Sequence, residues 1–142
     1  MVCIQLPGGR VFMKYFLSFP TLIIAMLLYV ALGAGGSLDR DFFGWTVPSG
    51  DVTTGSASEF IILVAIPLFV IETWKSTSIG ALGLIDHILS MALGVIALIA
   101  YMTAPAFGTI TFLILTAMQF ADVAAGVIVS IRAARRDFGI EA

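Results

Sequence analysis

The chain has one cysteine and one histidine in 142 residues, and only 11% of its residues are charged. Each shortage excludes some chemistry. A lone Cys3 rules out an internal disulfide and a cysteine-based metal cluster. A lone His87 rules out a bis-histidine haem site within one chain. It also argues against catalytic zinc, which takes about three protein ligands. No metal or cofactor is therefore expected. A net charge of −2 gives no reason to expect a nucleic-acid partner. The motifs G-x-S-x-G, H-E-x-x-H and the P-loop are absent too. Leu6-Pro7-Gly8-Gly9-Arg10 lacks the Lys-Ser/Thr that would follow in a P-loop and reads as a flexible terminus. The expectation is a non-enzyme.

In place of charge there is hydrophobicity. Apolar residues make up 60% of the chain, against about 45–50% in a soluble domain that also carries about 25% charge. They fall in four long blocks, the pattern of membrane-spanning helices. The predicted fold is all-α: four transmembrane helices in one antiparallel bundle, spanning 15–34, 57–74, 79–103 and 107–136. The whole chain, 1–142, reads as one transmembrane domain. Met13-Lys14 reads as an alternative start. A retained first helix is favoured over a cleaved signal peptide, because its apolar block exceeds the roughly 7–15 residues of a signal sequence. Pro20 sits early in that block, where a helix tolerates it.

Residues 35–56 form an extracytoplasmic loop. The run Phe42-Phe43-Gly44-Trp45 lies among charged residues there, which fits either a segment at headgroup level or aromatics that cap the bundle. Ser56-Ala57-Ser58-Glu59 matches a capping box and predicts the start of the second helix. Pro67 is expected to kink that helix. The short connections 2–3 and 3–4 predict that helices 2, 3 and 4 are successive antiparallel neighbours.

Basic residues set the direction. With the N-terminus inside, Arg10, Lys14, Lys75, Arg132, Arg135 and Arg136 are cytoplasmic and Arg40 alone is outside. Lys14, Lys75, Arg132, Arg135 and Arg136 are thus expected to anchor the topology, the tail near anionic headgroups. Trp74 and Tyr101 read as interface residues.

Ionisable groups within membrane helices are costly and suggestive. At about 1.5 Å per residue, Glu72 lies about 5 Å, Asp86 about 10 Å and Asp122 about 15 Å from the cytoplasmic end. Three helices therefore place an acid in one half of the bilayer. On helix 3, Asp86, Ser90, Gly94, Ala97 and Tyr101 share a face. On helix 4, Gln119, Asp122, Gly126 and Ser130 do the same. Gly94, Ala97, Gly126 and Ser130 are small enough for close packing, and the polar members can bond across the gap. His87 points about 100° away from Asp86, toward Glu72 or a partner. One reading makes the acids hydrogen-bonded glue. The other makes Glu72, Asp86, His87, Ser90, Gln119 and Asp122 a proton or cation cluster.

The runs Ile85-Asp86-His87-Ile88-Leu89-Ser90 and Phe120-Ala121-Asp122-Val123-Ala124-Ala125-Gly126, closing in Ala133-Ala134-Arg135-Arg136-Asp137-Phe138, resemble small four-helix bacterial inner-membrane proteins of unknown function. The resemblance covers helices 3 and 4, roughly half the chain. It implies a multi-pass protein of the bacterial inner membrane and carries no activity or catalytic residue. The expected function is a non-catalytic accessory or scaffold subunit that packs with itself or a larger membrane complex among membrane lipids. The alternative is a small proton- or cation-coupled transporter or channel.

Overall fold

The computed structural model describes residues 19–34, 36, 38–75 and 81–138. In chain order they form helix α1 (Ile23–Ala34), strands β1 (Asp41–Thr46) and β2 (Val52–Ser56), α2 (Ala57–Lys75), α3 (Ala81–Thr103), a 3₁₀ turn (Pro105–Phe107) and α4 (Ile110–Phe138). Three stretches are long and apolar enough to cross a membrane: Ala57–Lys75, Ile85–Thr103 and Ile110–Val129. They point to a membrane protein. The apolar part of α1, Ile23–Gly33, is shorter than these.

The expected first helix, 15–34, differs at its start. Residues 15–18 lie outside the described residues, and α1 begins only at Ile23, after Pro20. Pro20 has no N–H, but its carbonyl accepts from Ile23 N at 3.2 Å in a tight first turn.

The all-α expectation is corrected in the 35–56 segment, which holds an antiparallel hairpin. Its register pairs Thr46 with Val52, Trp45 with Thr53 and Gly44 with Thr54, and a bulge separates Asp41 from Phe43. The turn explains it. Gly50 N donates to the Val47 carbonyl at 2.9 Å, with Pro48 in the second position and Gly50 at φ +91°. Proline presets the first bend and glycine supplies the left-handed residue that closes it. Phe43 lies flat over Gly55, where an added Cβ would stand 2.2 Å from the ring. The hairpin docks on α2 through Phe42–Phe60 and Phe43–Phe60 ring contacts.

The capping box forms. Ser56 N donates to Glu59 Oε2 at 2.7 Å, and Glu59 N donates to Ser56 Oγ at 3.4 Å. Ala57 N and Ser58 N donate to the carbonyls of Arg40 and Leu38, so neighbouring backbone satisfies further amides at the start of α2. The helix continues through Pro67 to Lys75.

The fourth helix starts at Ile110, later than the expected 107. Residues 105–107 turn as 3₁₀, and the Thr109 hydroxyl accepts from Phe112 N at 3.2 Å as the N-cap. The expected chain of neighbours is also corrected. Among the described residues, α4 packs against α3, α2 and α1, while α2 and α3 share little contact along their lengths. Accordingly 39% of the α4 span is buried, against 22% of each of the other two. The apolar core comprises Ala25, Met26, Tyr29, Ile61, Ala65, Ala97, Phe112 and Leu115.

Tyr29 joins α1 to the start of α4. It is 1% exposed. Its hydroxyl donates to the Ala106 carbonyl at 3.0 Å and shares a 2.7 Å hydrogen bond with Thr109 Oγ1. Its ring packs on Phe112 and Phe107. Tyr29→Phe keeps the ring and removes two part-buried hydrogen bonds. Its expected cost is about 1 kcal/mol, read as a lower midpoint of unfolding in detergent. A midpoint equal to wild type would show that these bonds contribute nothing.

Candidate functional site

At the end of the bundle that holds Phe19 and Lys75, charged side chains turn inward. Glu72 and Lys75 occupy the last turn of α2, three residues apart and on one face. Asp86 comes from α3. All three are buried. Lys75 Nζ donates to both carboxylate oxygens of Glu72 at 3.2 Å, to Asp86 Oδ1 at 3.2 Å and to the Phe19 carbonyl at 2.5 Å. An ammonium offers three protons, and these three partners converge on it. Its place at the C-terminal end of α2 also sets a positive charge against the negative end of the helix dipole.

Glu72 has a second role. Thr21 N donates to its Oε2 at 2.8 Å, and the Thr21 hydroxyl donates to the same oxygen. Thr21 lies in the first turn before α1, where backbone amides lack partners within the helix. Glu72 is therefore a capping carboxylate supplied by another helix, on the side of the dipole that favours an anion.

One layer further in, α3 and α4 face each other through their small and polar residues. Gly94 lies against Gln119, whose Cγ would stand 3.3 Å from an added Cβ. Ala97 is buried in the core. Gly126 lies against His87, with an added Cβ only 2.1 Å from Nε2. His87 thus faces α4, and neither Glu72 nor an outside partner as its sequence position had suggested. The reason is local: the glycine leaves a hollow the size of the imidazole edge.

Ser90, Gln119 and Asp122 complete this layer, each at 0% exposure. The Ser90 hydroxyl lies beside Asp122 without full hydrogen-bond geometry. Neither oxygen of Asp122, neither polar atom of Gln119, nor Ser90 Oγ nor His87 Nδ1 has a hydrogen-bond partner. The structure thus gathers five of the expected cluster residues around α3 and α4, with Glu72 adjoining through Lys75. Among the described residues, no three His, Cys, Asp or Glu side chains converge as a metal-holding group.

Lys75, expected to anchor the topology, turns its ammonium inward: its side chain is 3% exposed and paired with two acids. The signal was its spacing from Glu72, which places the two on one face. Thr21 was also missed, since nothing in a lone threonine announces a distant carboxylate. Arg132 is exposed. Lys14 lies outside the described residues, as do the side chains of Ser130, Arg135 and Arg136.

Chemically, the inner end is an ion-paired clasp next to a polar layer with unmet bonding capacity. Lys75→Met should leave two buried carboxylates without their counter-charge, at an expected cost of about 3–5 kcal/mol. Removing all three charges together (Glu72→Gln, Lys75→Met, Asp86→Asn) should cost less than Lys75→Met alone. Detergent unfolding of both variants checks this. A triple variant weaker than the single one would refute the clasp. No protein-family model, curated protein or solved structure matches this chain.

Proposed function

We propose that this chain is a four-span protein of the bacterial inner membrane, with both termini cytoplasmic, that serves as a non-catalytic accessory or scaffold subunit. The observation that carries this reading is the Glu72–Lys75–Asp86 clasp, in which three buried ionisable side chains are spent on holding helices to one another. Apolar surface supports it. Along α3, Ile85, Ile88, Ile96, Ile99 and Met102 are exposed. Such a stripe suits lipid tails, a second copy or a larger membrane complex, and helices associate there by close packing of apolar faces.

The four-span topology combines three apolar helices of spanning length with a first span built on α1 and the residues before it. The excess of basic residues at one side supports cytoplasmic termini. The hairpin then lies outside, where the exposed Phe42 and Trp45 suit the headgroup level. In a Cys3→Ser background, Ser49→Cys should react with a membrane-impermeant maleimide in intact cells, and Ile140→Cys only after permeabilisation. Equal labelling of both would overturn the topology.

The scaffold reading is tested by gentle detergent extraction followed by native mass measurement. The expected species is an oligomer or a defined complex. A monomer at every concentration would count against it.

A further inference from the structure

We propose that Asp122, Gln119 and Ser90 form a binding site for a monovalent alkali-metal cation between α3 and α4. The case begins with the bonding account. All three side chains are 0% exposed, and all their polar atoms lack hydrogen-bond partners. Buried polar groups are nearly always satisfied. The unanswered oxygens of three side chains, from two helices, lie in one layer, and a ligand that accepts their lone pairs would answer them together; the Gln119 Nε2 donor stands outside that set.

The donor set specifies the ligand. A carboxylate, an amide oxygen and a hydroxyl are hard oxygen ligands, suited to alkali and alkaline-earth ions and unsuited to soft metals. The set carries one negative charge, which matches one positive charge. A divalent ion such as calcium draws on 6–8 oxygens, often several carboxylates, and no such gathering of acids occurs among the described residues.

The surroundings favour a cation as well. Among the described residues, Glu72 and Asp86 share the ammonium of Lys75, two acids against one base. Gly94 and Gly126 let the side chains of Gln119 and His87 pack directly on the facing backbone at this level. His87, with Nδ1 also unpartnered, lies against Gly126 beside the layer. This inference stands apart from the scaffold reading, because it concerns the bundle's interior and not its outer partners.

The test uses the full chain in detergent at fixed pH and ionic strength. Thermal unfolding is followed as NaCl, KCl or LiCl replaces choline chloride. One of the alkali ions is expected to raise the midpoint by several degrees in a saturable way, as a ligand bound only to the folded state does. Asp122→Asn should lose this response while retaining its helical circular dichroism in choline. Ser90→Ala, a milder change, should shift the half-saturating concentration upward about tenfold. It keeps the test decisive should Asp122→Asn fail to fold. Retention of ²²Na⁺ by wild type in equilibrium dialysis provides a readout independent of stability. Equal midpoints in all four salts would overturn the proposal. So would stabilisation by lower pH alone, which would assign Asp122 a proton, or a salt response unchanged in either variant.

Discussion

The bundle depends on one buried ammonium. Lys75 sits where three segments meet: the last turn of α2, the start of α3 and the residues that lead into α1. A charge in a low-dielectric interior is tolerated only with close counter-charges and hydrogen bonds. Here the compensation comes from Glu72, Asp86 and a backbone carbonyl, so the electrostatic requirement of one side chain fixes the mutual placement of three segments. Glu72 transmits the constraint further through the amide and hydroxyl of Thr21. The opposite end is organised by a neutral counterpart, Tyr29, whose hydroxyl ties α1 to the 3₁₀ turn and to the cap of α4. Helix α1 is thus held at one end by hydrogen bonds to charged side chains and toward the other by a phenol.

Helix α4 carries the interior. It meets the three other helices, and its buried positions change character along its length. Phe112 and Leu115 belong to the apolar core, while Gln119 and Asp122 belong to the polar layer. The transition takes about one turn. Apolar packing and unmet polar capacity therefore lie side by side in the same interface. The polar part borders the Lys75 clasp, so the costly groups share one region of field.

Much of this was legible in the sequence, for reasons that differ by element. The apolar blocks of α2, α3 and α4 are long enough that hydropathy alone identifies them. Ser56 and Glu59 announced the start of α2 because a capping box is local chemistry. The paired stripes of α3 and α4 were visible because helical spacing places Ser90 with Gly94, and Gln119 with Asp122, on single faces. The hairpin was missed although its signals were present. Val47-Pro48-Ser49-Gly50-Asp51 is turn chemistry between aromatic and β-branched runs, but the two strands are only six and five residues long and carry no regular apolar alternation. The centrality of α4 and the inward turn of Lys75 were not legible. Both depend on tertiary packing, which short connections constrain without determining.

The contact of His87 with Gly126 has a mechanical consequence. An imidazole edge seated where a single methyl group would collide acts as a detent between two helices. Sliding α3 along α4 by one turn, about 5.4 Å, toward the start of α4 would carry the ring from the glycine to the level of Asp122, whose side chain is buried in the interface. Translation in that direction is therefore blocked. Rocking about the notch remains open, and it spreads or closes the helices on either side.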